Sequence, residues 1–123
     1  MPHDTPYRIL VRDLVVAASI GAFAHEHHAR QRVRIQVTLE ARPDPDQPED
    51  ALRRVISYAD IVAAIRDLVA ARHYNLAETL AERIAAVALS DPRAIRVTVR
   101  VEKPDVIHGA VVGVEIDRAR SEE

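Results

Sequence analysis

Four side chains in this sequence have the types and settings for moving protons or gripping a polar ligand: Lys103, Glu78, Glu26 and Tyr58. Lys103 says the most. It continues the odd-numbered parity of Ile95, Val97, Val99 and Val101, so a persisting strand would aim it at their buried face, and Pro104 is expected to stop that strand. An amine held at a sheet end beside apolar surface has its charged form disfavoured by desolvation, which suits it to proton transfer near neutrality. The plainer alternative is a lysine that snorkels into water from a strand end.

Glu78 lies three residues after Asn75, the expected cap of a helix, so its carboxylate fits a capping box. Glu82 follows at i+4, a like-charge spacing that is mildly unfavourable unless one of the two has another partner, and this leaves room for a ligand. Tyr58 stands in the first turn of a different helix, where its ring either packs beside Val62 or offers a phenolic donor to a site.

Glu26 sits in the run His25, Glu26, His27, His28, which holds zinc-ligand types. Adjacent side chains on an extended or looping segment point different ways, and there is neither a helical His-Glu-x-x-His pair nor an evident second ligand cluster. The run reads as a solvated loop whose glutamate has a separate task, and neither a metal nor a cofactor is expected. None of Ser19, Ser57, Ser90 and Ser121 lies in a Gly-x-Ser-x-Gly elbow, which argues against covalent serine chemistry.

These residues must be held by a small set of elements. Tyr7 to Ile20 reads as a strand that ends at Gly21 and breaks near Arg12 and Asp13. Val33, Ile35, Val37, Leu39 and Ala41 alternate with polar residues as a half-buried strand. Between the two lies a loop from Phe23 to Arg30, and Arg42 to Asp50, with its prolines and acids, is a second loop. A helix is expected over Tyr58 to Arg72, with Ser57 and Asp60 spaced as a capping box. A second helix has Leu76, Leu80, Ile84 and Val87 as its apolar stripe and ends at Ser90, Asp91 and Pro92. Strands follow through Ile95 to Val101 and Val112 to Ile116. The order ββααββ predicts an α+β fold: a four-stranded antiparallel sheet with both helices on one face. The two unpaired edges of such a sheet would be removed by joining sheets from several copies, so a homo-oligomer is expected.

The 123 residues suit one domain, 1–123, able to bury roughly 65% of its unfolded surface. Aromatic residues make up 3%, the formal charge is -2 and the pI is about 6.3, so stacking platforms and a basic field are both lacking, and no nucleic-acid or membrane partner is expected. With no cysteine, no signal-like start and no apolar run of membrane-spanning length, the chain reads as cytoplasmic.

Four blocks together resemble the dihydroneopterin aldolase family over nearly the whole chain. They are Ile20-Gly21 with Glu26 and then Gln31 at five-residue steps; Ser57-Tyr58-Ala59-Asp60; Ala77-Glu78-Thr79-Leu80-Ala81-Glu82; and Val101-Glu102-Lys103-Pro104 leading to Val112-Gly113-Val114. The resemblance implies the tunnelling fold (T-fold), in which subunit sheets join into an oligomeric barrel, as a tetramer or a homo-octamer of two stacked tetramers, with active sites at subunit interfaces. It implies a small-molecule pterin substrate, retro-aldol cleavage of 7,8-dihydroneopterin in folate biosynthesis, and no metal or Schiff base. It also implies roles: Glu78 grips the guanidine-like edge of the pterin, Ala77 supplies backbone contacts, Tyr58 and Glu26 order substrate or water, and Lys103 moves the protons. Asp105 stands where many relatives have glycine, which bears on substrate preference. The rival readings are an epimerase acting on dihydroneopterin or its triphosphate, a zinc-dependent pterin synthase of the same fold, which would need a separated histidine set, and a non-catalytic ring-forming pterin-binding module.

Overall fold

The computed structural model describes residues 5–121. Strand β1 (Tyr7–Ala18) and β2 (Gln31–Ala41) are joined through a short 3₁₀ turn at Ala24–His27. A second 3₁₀ turn, Leu52–Arg54, precedes α1 (Tyr58–Ala71) and α2 (Ala77–Ala88), and β3 (Ala94–Ile107) and β4 (Ala110–Ala119) complete the chain. The sheet runs β1-β2-β3-β4, antiparallel throughout, which is the expected ββααββ arrangement.

Period-two patterning sorts the two faces of the sheet. Ile35 faces Val101, Val37 faces Val99 and Leu39 faces Val97, and all six are buried under the helices. Each such side chain contributes about 1.5–3 kcal/mol by leaving water. The opposite face carries charged cross-strand pairs, Arg34 with Glu102, Arg100 with Glu115 and Arg96 with Asp117. The break expected in β1 is a bulge: the pairing with β2 slips between Val11 and Leu14, and Asp13 adopts φ 57. The extra residue switches the inward parity from Ile9 and Val11 to Val16 and Ala18, so both halves of the strand feed one core.

Several boundaries differ from the sequence reading. Pro104 does not stop its strand, because β3 continues to Ile107. Pairing with β2 has already ended at Glu102, and the pairing with β4 slips after Lys103, so no ladder donor is needed where the proline stands. A two-residue turn, His108 and Gly109 (φ 79), then leads into β4. Gly113 is required there, since a β carbon on it would fall on the Val101 carbonyl oxygen of β3.

Helix α2 is capped by Leu76, not by Asn75, and its buried stripe is Ala77, Leu80, Ala81, Ile84, Ala85 and Ala88. Leu76 and Val87, assigned to the stripe from sequence, are 50% and 36% exposed. Small alanines let the helix lie close to the sheet, and that packing sets which side faces in. In α1, Ser57 is the cap and Asp60 has the capping-box spacing, but the Ser57 side chain makes no capping bond. Among the described residues, no helix is long and apolar enough to cross a membrane.

Candidate active site

The sheet end that carries Lys103 meets the 3₁₀ turn that carries Glu26. The residues around Glu26 are exposed, as expected of a solvated loop, but Glu26 itself turns inward and is only 4% exposed. Its Oε2 accepts from Lys103 Nζ at 3.0 Å and from Gln31 Nε2 at 2.9 Å, while Oε1 has only the long Phe23 amide contact at 3.4 Å. The second Gln31 amide hydrogen goes to the Ile20 carbonyl at 2.7 Å. Burial by itself pushes the pKa of Glu26 up, but the Gln31 and Lys103 hydrogen bonds and the charge of Lys103 outweigh it, holding the carboxyl below the ordinary glutamate value.

The odd parity of β3 does turn Lys103 inward, where its side chain is 16% exposed. It does not snorkel, and its neighbour is a carboxylate instead of bare apolar surface. Gly21 makes the arrangement possible. At φ 129, in a region that favours glycine, it ends the path of β1, and a β carbon there would occupy the position of the Glu26 carboxyl group. Beside the pair lies a cleft of about 320 Å³ lined by Glu26, Gln31, Ala29, Arg30, Asp105 and Val106. Asp105 is engaged by Arg32 through two hydrogen bonds.

Glu78 is exposed in the first turn of α2. Because the cap is Leu76, Glu78 falls one position short of the capping-box site, and the cap makes no side-chain hydrogen bond. Among the described residues its carboxylate has no hydrogen bond or ion pair, whereas Glu82 pairs with Arg118. The capping account therefore fails, and a free carboxylate stands beside first-turn amides, including that of Ala77, that take no intrahelical partner. This turn is tied to the segment that leads into the Glu26 turn: Tyr74, three residues before Ala77, is hydrogen-bonded to Ser19 and Gly21.

Tyr58 is not brought to this group. It is 69% exposed at the start of α1, and the other end of α1 leads into His73 and Tyr74. At 1.5 Å per residue the helix puts about 20 Å between Tyr58 and the Glu26 end. A separate cleft of about 480 Å³ lies at this end of α1, lined in part by Ser57, Asp60, Ile61, Arg53 and Arg93 but not by Tyr58, Glu26 or Lys103. Two contributors escaped the sequence reading. Gln31 was marked only by its spacing from Glu26, and His73, bonded to Ser19 and Gly21, by nothing. Among the described residues no group of three or more His, Cys, Asp or Glu side chains is arranged to hold a metal ion, and Glu26, the acid of the histidine run, is directed at Lys103.

A buried carboxylate beside an open cleft and joined to an amine, with a second carboxylate left free on α2, is an arrangement suited to proton transfer on a small polar ligand. The family model for dihydroneopterin aldolase matches residues 9–117. The dihydroneopterin aldolase of Methylorubrum extorquens is 36% identical over 121 residues, covering 94% of this chain and 92% of that protein. That of Bacillus subtilis is 34% identical over 105 residues, covering 82% and 88%. Among solved structures, the dihydroneopterin aldolase of Burkholderia thailendensis bound to guanine superposes with a TM-score of 0.82 at 34% identity, covering 94% of this chain and 93% of that one. The Escherichia coli enzyme in complex with neopterin gives 0.80 at 27% identity, covering 92% and 99%. The chain belongs to the dihydroneopterin aldolase family, a family of lyases.

Proposed function

We propose that the chain cleaves the side chain of 7,8-dihydroneopterin by a metal-independent retro-aldol reaction, giving 6-hydroxymethyl-7,8-dihydropterin and glycolaldehyde, at sites built by two copies of the chain. The observation that carries this reading is the buried Lys103 to Glu26 pair, 3.0 Å apart, with the unpartnered Glu78 four residues after Tyr74, whose backbone is bonded to Gly21.

The Glu78 carboxylate can accept two parallel N–H bonds from the 2-amino group and ring N3 of a pterin, and the free first-turn amide of Ala77 can donate to the ring. With the ring fixed, the 2'-hydroxyl proton is removed, the C1'–C2' bond breaks and glycolaldehyde leaves. The bonding electrons pass into the N5=C6 imine of the substrate, and C1' then receives a proton. One proton is taken from oxygen and one is delivered to carbon, and Lys103 is the group placed for both transfers. Glu26 Oε1, left without a short protein bond, is available to hold a water. Because the substrate is its own electron sink, neither a Lewis acid nor a Schiff base is called for.

Tyr58 enters from a second copy. Its distance from Lys103 within one chain, its exposure, and the open edges of β1 and β4 all support a ring of subunits, as a tetramer or stacked octamer. A cytoplasmic setting accords with a chain that has no cysteine. Epimerisation shares the same intermediate, through re-addition of glycolaldehyde, and a non-catalytic pterin module has no need of the Lys103 to Glu26 pair. Incubation with 7,8-dihydroneopterin and a chelator, with chromatography of all pterins, is expected to show the hydroxymethyl product. Recovery of the epimer alone, or of unchanged substrate, would overturn the assignment.

A further inference from the structure

The link between α1 and α2 ties the two halves of the site together. Tyr74 N donates to Ser19 O at 2.9 Å and Gly21 N donates to Tyr74 O at 2.8 Å, forming a short parallel bridge to the end of β1. His73 adds a side-chain bridge beside it. Its Nδ1 is 2.6 Å from Ser19 Oγ and its Nε2 is 2.9 Å from the Gly21 carbonyl oxygen. A carbonyl oxygen only accepts, so Nε2 carries a proton, and the Ser19 hydroxyl is free to donate to Nδ1. The ring of His27, from the turn that bears Glu26, stacks on this imidazole with centroids 4.1 Å apart. One side chain thus touches the end of β1 and the Glu26 turn, five residues ahead of Glu78.

We infer that His73 is a positioning residue for the reaction proposed above, on which this inference rests. It holds the Gly21 carbonyl, and with it the backbone against which the Glu26 carboxyl group lies, at a set distance from the first turn of α2. Gly21 has no side chain to act as a spacer, so movement of its backbone passes directly to Glu26, and Glu26 is the partner of Lys103. Without the Nε2 donor the Gly21 carbonyl has to find another partner, and the turn reverses differently. Pterin contacts made by Glu78 are untouched, so the loss falls on alignment for chemistry more than on binding.

The test uses His73→Asn and His73→Gln in the intact oligomer. The glutamine amide nitrogen reaches the place of the imidazole Nε2, whereas the asparagine amide reaches only that of Nδ1. For dihydroneopterin, His73→Asn is expected to lower kcat by about 10-fold with KM within about threefold, a cost in keeping with a catalytic group displaced by less than about 1 Å. His73→Gln is expected to retain kcat within about threefold of the wild type, with both melting temperatures close to it. Wild-type kcat in His73→Asn, or equal losses in both variants, would overturn the inference, because the bond to Gly21 would then be immaterial. Lys103→Ala runs alongside: if the wild type fails to turn over, or this variant matches it, the functional reading fails instead. Positioning is then read from the NMR signal of the Lys103 ammonium, expected to move in His73→Asn and stay in His73→Gln, and a signal unmoved in both refutes it.

Discussion

The two ends of α1 differ in how complete they are. At its C-terminal end, Gln31, Lys103, His73 and Tyr74 bond the Glu26 turn and the end of β1 into a closed network. At its N-terminal end, Tyr58 is 69% exposed, with no side-chain hydrogen bond among the described residues to hold it. One chain therefore finishes the acid–base half of a site and leaves the phenol about 20 Å away. Under the proposed reading, chemistry that needs both falls to a seam between copies, with the finished end of one against the open end of the next.

Perturbing the finished end should have the largest effect. Lys103→Ala is expected to lower kcat by at least about 10²-fold while equilibrium pterin binding changes little; steady-state kinetics with a binding isotherm decide, and unchanged turnover would remove Lys103 from the mechanism. Gly21→Ala comes next. It forces a side chain into the place of the Glu26 carboxyl at a positive φ, and is expected to cost about 2 kcal/mol in denaturant unfolding and to lose activity in parallel. If stability and kcat both hold, the seat described for Glu26 is wrong.

At the binding side the expected effect is smaller. Glu78→Ala should weaken pterin binding by about 10-fold, as loss of a charge-assisted hydrogen bond does, with helix content unchanged because Glu78 caps nothing. Circular dichroism showing a melted α2 with unaltered affinity would restore the capping account. The mildest effect is in pH. Glu26 is held below the ordinary glutamate value in the folded chain, so its charge contributes stability that is fully present above the unfolded value and is lost as pH falls through the lowered one. The stability gap between wild type and Glu26→Gln should thus be flat from pH 6 to 8 and narrow on acidification below about 4. A gap that widens in acid would contradict the sign.

Legibility in the sequence followed the range of the forces involved. Strand β2 was readable because Val33, Ile35, Val37, Leu39 and Ala41 report burial one residue at a time, and the same parity carried through to Lys103. The bulge at Asp13 was visible as a polar pair inside an apolar run. The start of α2 was misplaced by one residue because Asn75 has better cap chemistry than Leu76, while the packing of Ala77 and Ala81 decides the helix phase. Pro104 misled because its missing donor matters only where a partner strand is present. The burial of Glu26 was not legible because its neighbours are exposed and polar, and the amine that pairs with it is 77 positions away. His73 left no periodic trace at all, its partners lying on an element that only the fold brings near.

The shared site can be tested by co-assembling Lys103→Ala and Tyr58→Ala subunits, each inactive alone. Random pairing at the seams joins an intact Lys103 to an intact Tyr58 in roughly a quarter of the sites, so mixed oligomers are expected to recover roughly a quarter of wild-type turnover. Mixed oligomers no more active than the sum of their parents would show that both residues must come from one chain, and would contradict the account.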